Sequence, residues 1–112
     1  MVDNCRTWLE DIRIAIEEIN SFVSIASGFS AFQNDIRTRK AVERNIEIIG
    51  EARDRILKAE PNITITDSRK IVNTRNRIIH GYESVSPDVI WLIIERYLPL
   101  LLLEVKALLE KQ

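Results

Sequence analysis

Val42-Glu43-Arg44-Asn45-Ile46-Glu47-Ile48-Ile49-Gly50-Glu51-Ala52-Arg53-Asp54-Arg55-Ile56 is the stretch that decides the fold class. Val42, Ile46, Ile49 and Ile56 recur at heptad-like spacing with charged residues between them, which is the pattern of one buried helical stripe. The helix that carries it is expected to begin at Ser30, where Ser30 and Gln33 have capping-box spacing. It should continue to about Ala59, with Pro61 just past its end, a length of roughly 45 Å at about 1.5 Å per residue.

Upstream, Trp8, Ile12, Ala15, Ile16, Ile19, Phe22, Val23 and Ala26 repeat the same spacing. They predict a first helix from Asp3 or Asn4 to Ala26, stopped by Ser27-Gly28. Downstream, Pro61 to Thr66 reads as a short loop; Ile63-Thr64-Ile65 has β propensity but no partner run. A third helix is expected from Thr66 or Asp67 to about Gly81. The fourth has Ser86 at the cap, Pro87 at its first position and Asp88 in its first turn, and Val85 is placed to staple against Ile90. Pro99 is expected to kink it. The expectation is therefore a single all-α domain over residues 1–112, an antiparallel four-helix bundle with a kinked last helix.

Composition agrees. A chain of 112 residues with 46% hydrophobic and 29% charged residues can bury a core without staples. Three glycines and three prolines leave little punctuation, so few, long elements are expected. The one cysteine, Cys5, excludes an internal disulfide and fits a reducing compartment. Met1-Val2-Asp3-Asn4-Cys5-Arg6 is polar and carries an acid, unlike a secretory leader. The longest apolar stretch, Val89 to Leu109, is broken by Glu95, Arg96, Pro99, Glu104 and Lys106, which a membrane span would not carry. A cytoplasmic protein without membrane attachment is the expectation. The fourth helix is apolar around more than one face, and such surplus suggests a partner, most simply a second copy of the chain.

The formal net charge of −1 does not by itself mark a nucleic-acid binder. Charge is unevenly placed, however: Arg69, Lys70, Arg75 and Arg77 stand together without an acid, and Arg37, Arg39, Lys40 and Arg44 stand against Glu43. Two basic patches on a near-neutral chain can hold a polyanion, or can be two solvated helix faces.

The residues best suited to chemistry lie on the expected third helix. At about 100° per residue, Ile71, Val72, Ile78 and Ile79 fall within about 60° of Arg75, so Arg75 lies in the middle of that helix's apolar stripe. Tyr82 falls almost directly above it; Asn76 and His80 lie one turn apart on the flank, and Arg69 flanks the stripe too. An arginine on an apolar face is costly unless paired or lining a polar cleft. Its guanidinium grips phosphate with two hydrogen bonds, and a histidine titrates near neutral pH. A proton shuttle beside a fixed positive charge is what phosphodiester cleavage without metal requires. Plainer readings stay open at this point. His80 can be a structural or capping residue, Arg75 can pair with Glu47 or Glu51, Tyr82 can be packing, and Gly81 can simply end the helix.

Arg75-Asn76-Arg77-Ile78-Ile79-His80-Gly81-Tyr82 reads R-N-x-x-x-H-x-Y. This resembles the motif of HEPN domains in the form carried by the HepT-like toxins. Arg44-Asn45-Ile46-Glu47-Ile48-Ile49-Gly50-Glu51-Ala52 is similar to the family's R-N-x-E-I-I-G-E-A stretch, and Val89-Ile90-Trp91 with Leu98-Pro99-Leu100 to its last helix. One departure is the absence of the tryptophan that many members carry just before the third helix, where this chain has Ile65-Thr66-Asp67.

The resemblance implies a dimeric helical bundle with the motifs of two protomers facing across a cleft. It implies a metal-independent RNA endonuclease without a cofactor, acting as a toxin. A minimal nucleotidyltransferase antitoxin would silence it by placing AMP on Tyr82, and assembly with that antitoxin could extend beyond the dimer. Carried over residue by residue, Arg75 would bind the scissile phosphate, His80 would be general acid or base, and Asn76 would orient one of them. Arg69 and Arg44 would contact the RNA backbone. A non-catalytic HEPN module that holds nucleotide for a nucleotidyltransferase, and a plain helical dimerisation domain, are the alternatives. The first does not need the His, and the second leaves Arg75 unexplained unless Glu47 or Glu51 pairs with it.

Overall fold

A computed structural model describes residues 3–65 and 86–111. All regular structure among these residues is helical: α1 (Asp3–Phe22), a 3-10 turn (Ile25–Ser27), α2 (Gly28–Asn34), α3 (Ile36–Ala59), α4 (Pro87–Leu92), a π turn (Ile93–Tyr97) and α5 (Leu98–Glu110). The expected third helix, with its cap and its end at Gly81, and the Val85 staple lie outside the described residues.

The stripe on α3 is buried as its spacing predicts. Val42, Ile46, Ile49 and Ile56 are wholly inaccessible, as are Leu9, Ile12, Ile16 and Ile19 of α1. Each such side chain withdrawn from water contributes about 1.5–3 kcal/mol of transfer free energy. The last helix closes this core with Ile90, Ile93, Leu98, Leu101 and Val105. α1 has α3 as its main neighbour and α5 as its second. The Lys106 ammonium reaches the Glu17 carboxylate at 3.7 Å and ties α5 to α1.

Two expectations about helix ends need correction. The first helix ends at Phe22, not Ala26; a 3-10 turn follows, and Ser27-Gly28 terminates that turn. Phe22 and Ala26 are exposed, and the stripe runs instead through Cys5 and Leu9 at the start of α1. Gly28 has φ +82, a conformation that side-chain-bearing residues rarely adopt.

The second correction concerns the long helix, which divides at Asp35 into α2 and α3. Asp35 is extended at φ −103 and ψ 90, and its carboxylate accepts from the Thr38 backbone N–H and, at 2.7 Å, from the Thr38 hydroxyl. The effective cap is therefore Asp35 with Thr38, and Ser30 lies inside α2. The break is stabilised from both sides. The Arg39 guanidinium donates to the Gln33 carbonyl at 3.2 Å, satisfying an acceptor in the last turn of α2. Phe29 and Phe32 of α2 hold Trp91 of α4, with ring centroids 5.9 and 5.4 Å away. α3 alone is 24 residues, about 36 Å at about 1.5 Å per residue.

Ser86 caps α4 by accepting from the Asp88 N–H, with Pro87 in the first turn, as expected. Pro99 has no N–H to give to the Glu95 carbonyl. The chain widens just before it into a π turn, in which the Leu98 N–H reaches back to the Ile93 carbonyl. The proline is thus absorbed without ending the helix. No helix among the described residues is long and apolar enough to cross a membrane.

The cap offers a pH test. The Thr38 hydroxyl and then its backbone N–H hold the Asp35 carboxyl below its ordinary value. A depressed folded-state value means stabilisation that is present above the unfolded value and lost as pH falls through the folded one. Asp35→Ala should lower the melting temperature by roughly a few degrees at neutral pH. That deficit should narrow steadily in acid; a gap constant with pH would contradict the charged cap.

Candidate nucleic-acid site

Of the residues expected to carry chemistry, Arg44 is the one whose surroundings the structure describes. Arg69, Arg75, Asn76, His80 and Tyr82 all lie outside the described residues. What can be built is the α3 face that bears the second family-like stretch, residues 44–52.

That stretch divides cleanly by helical position. Asn45, Ile46, Ile49, Gly50 and Ala52 are buried, while Arg44 and Glu51 face solvent. The Arg44 side chain is 70% exposed and its Nη1 donates to Glu47 Oε2 at 3.0 Å. Arg55 donates to Glu51 Oε1 at 2.7 Å. Each of the two carboxylates considered as an ion-pair partner for Arg75 is therefore already held by an arginine on its own helix. The guanidinium of Arg44 remains open enough to meet a phosphate as well.

Asn45 is the one buried polar side chain among the described residues, at 5% exposure. It lies at the base of a cleft of about 160 Å³ between α1 and α3, lined by Asp11, Ile14, Ala15, Glu18 and Ile48. Two acids at the rim make this cleft unsuited to a phosphate. A larger hollow of about 200 Å³ lies at the corner where α1 turns into α2, between Phe22, Ser24, Gly28, Phe32 and Asp35. Neither hollow gathers cations.

Arg53 is a residue the sequence reading passed over. It occupies the stripe position between Ile49 and Ile56, and its Nε is buried without a hydrogen-bond partner. The signal was available, since an arginine on an apolar stripe is the argument that singled out Arg75. Arg39 was read as part of a basic patch. It instead turns inward to cap α2, and its Nε is buried too. Cys5 is fully buried, and burial pushes its thiol up, so it stays protonated and unreactive.

An all-α domain whose central helix carries this Arg-Asn-x-Glu face is compatible with the HEPN type that the sequence resembles. The family model described as HepT-like, "Ribonuclease HepT-like", matches residues 12–108, and the chain belongs to that family. A "Probable ribonuclease HepT" of Thermococcus cleftensis is 35% identical over 98 residues, covering 84% of this chain and 86% of the relative. A "Putative RNase" of Methanocaldococcus jannaschii is 30% identical over 99 residues, covering 84% and 78%. A second protein of that description, from Caldanaerobacter subterraneus subsp. tengcongensis, is 30% identical over 110 residues and covers 96% of each chain. No solved structure gives a significant match.

The two polar residues at the start of the stretch should differ sharply on substitution. Glu47→Gln, which removes an exposed ion pair, should change stability by no more than about 0.5 kcal/mol. Asn45→Asp adds a carboxyl to a cleft already lined by Asp11 and Glu18 and should cost about 2 kcal/mol at neutral pH. Because such a carboxyl has a raised folded-state value, the penalty should vanish below the unfolded one. Urea unfolding at two pH values reads both effects, and equal costs for the two variants would contradict the assigned environments.

Proposed function

We propose that this protein is a metal-independent RNA endonuclease that acts as the toxin of a toxin–antitoxin pair. The observation that carries this reading is the intact Arg75-Asn76-x-x-x-His80-x-Tyr82 motif in a chain of the HepT-like ribonuclease family. The relatives' names support RNA as the substrate class.

In this reading Arg75 binds the scissile phosphate and stabilises the charge that develops on its oxygens. The RNA 2′-hydroxyl attacks phosphorus while His80 takes its proton. The bond to the 5′-oxygen then breaks, and that oxygen receives a proton. Asn76 orients the histidine or the phosphate. One histidine per chain is short of an acid and a base, so the site is composite, with one His80 from each protomer of a homodimer at a shared cleft. Exposed Leu100 (54%) and Leu103 (67%) on α5 support a self-association surface. The antitoxin is a nucleotidyltransferase that transfers AMP from ATP to the Tyr82 hydroxyl with release of pyrophosphate. The added phosphate places negative charge and bulk beside Arg75 and His80, where it competes with RNA for the same donors. The single cysteine, buried as a free thiol, fits a reducing, cytoplasmic setting.

Purified protein should cleave RNA in the presence of EDTA and leave 2′,3′-cyclic phosphate ends. Arg75→Ala and His80→Ala should each lower the rate at least about 100-fold while circular dichroism stays unchanged. Full cleavage by either variant would remove the assignment. Absence of cleavage by folded, unmodified wild type over a broad RNA panel would favour the nucleotide-holding module instead.

The switch has its own readout. Incubation with the cognate nucleotidyltransferase and ATP should add mass in steps of one AMP to the wild type and none to Tyr82→Phe. Equal modification of both proteins would place the modified residue elsewhere.

A further inference from the structure

The first turns of α3 break two rules of helix electrostatics. A helix N-terminus carries partial positive charge and favours acids in its first turn. α3 has no acid there; it has Arg37, Arg39 and Lys40 within its first five residues. Arg39 turns inward to cap α2, which accounts for it. Arg37, Lys40 and Arg44 do not turn inward: all three are exposed. At about 100° per residue they fall within an arc of about 60°, rising about 4.5 and then 6 Å along the axis. They therefore form a line of like charges at the spacings where helix neighbours repel. Of nearby acids, Asp35 receives Thr38 and also lies in the field of Arg37, Glu47 is paired with Arg44, and Glu43 lies on the flank of the line. The opposite end of the helix obeys the rules, with Lys58 in its last turn. Arg37 and Arg44 are each only partly compensated, by one acid apiece, and a line of like charge that is not fully neutralised marks candidate functional surface.

We propose that Arg37, Lys40 and Arg44 form a phosphate-binding ridge that carries the RNA strand along the outer face of α3. The inference rests on the RNA reading above and extends it from the scissile phosphate to the flanking backbone. Three cations about one helical turn apart suit the successive phosphates of an extended strand. Neither the apolar faces of the molecule nor the acid-rimmed cleft at Asn45 offers that complementarity. The contacts are to phosphate, so they add affinity and register without base preference.

The test uses the full chain in a His80→Ala background, so that RNA stays intact, with fluorescein-labelled single-stranded RNA as probe. Arg37→Gln with Lys40→Gln should weaken binding about tenfold at moderate salt and reduce the slope of log affinity against log salt by about 1.4. Lys58→Gln, at the favourable end of the helix, should leave that slope unchanged. The double variant should melt close to the temperature of its parent, because the repulsion removed from the line offsets the lost attraction of Arg37 for Asp35. An unchanged affinity and slope would overturn the ridge, and so would retained RNA binding with loss of the nucleotidyltransferase partner. Either result, with wild-type cleavage intact, leaves the nuclease reading standing. Wild type that binds RNA through the ridge but never cleaves it would instead remove the nuclease reading and keep the ridge.

Discussion

The seam between α1 and α3 is the constraint on which the rest of the molecule depends. Ile12, Ile16 and Ile19 on one helix and Val42, Ile46, Ile49 and Ile56 on the other are withdrawn entirely from water. Each of these helices is long enough to present several turns of one stripe to the other, and the last helix docks beside the seam, with α5 against α1 and α4 against α2. The short elements are consequences. α2 exists because Phe29 and Phe32 reach Trp91, and because Asp35 starts α3 where the seam needs it to start. The π turn exists because Leu98 and Leu101 must stay on the core side of a helix that contains Pro99.

What was legible follows from how many residues carry each signal. The α3 stripe repeats over four turns, so periodicity found it without error. The cap of α4 is written three times, in Ser86, Pro87 and Asp88, and was read correctly. The division at Asp35 was missed because Ser30 and Gln33 offered a competing cap of equal quality. The deciding contacts, Thr38 onto Asp35 and Arg39 onto the Gln33 carbonyl, become decisive only once the chain has turned. The end of α1 was overrun for a related reason. Val23 and Ala26 continue the spacing, but beyond Ile19 α1 has no fully buried side chain, and spacing alone does not show where a neighbour stops.

The site shows the same division. The motif of Arg75, Asn76, His80 and Tyr82 is legible as residue types and spacing, and it lies outside the described residues. Arg44 was legible as a surface cation, whereas its pairing with Glu47 required three dimensions. Arg53 interrupts the apolar stripe of α3 as Arg75 interrupts the stripe expected around it. An arginine that interrupts an apolar stripe is informative wherever it occurs, since burying its polar atoms without partners is unfavourable.

The exposed faces of the helices differ in chemistry, and the difference follows from what each helix must do for the fold. α5 buries Leu98, Leu101 and Val105 and still shows Leu100 and Leu103 to solvent, an apolar excess that the core does not need. α3 buries the aliphatic residues of its stripe and covers its outer face with charge, apart from Ile36 at its first position, which is 66% exposed. In the proposed reading the first surface would serve a second copy of the chain and the second a polyanion, and neither competes with the seam between α1 and α3. The cations that start α3 act against the stability of their own helix, but their cost is small beside a core of fully buried isoleucines. A domain with that margin can carry an unfavourable line of charge on its outside. The buried stripe and the exposed Arg37, Lys40 and Arg44 fall on opposite sides of the same helix.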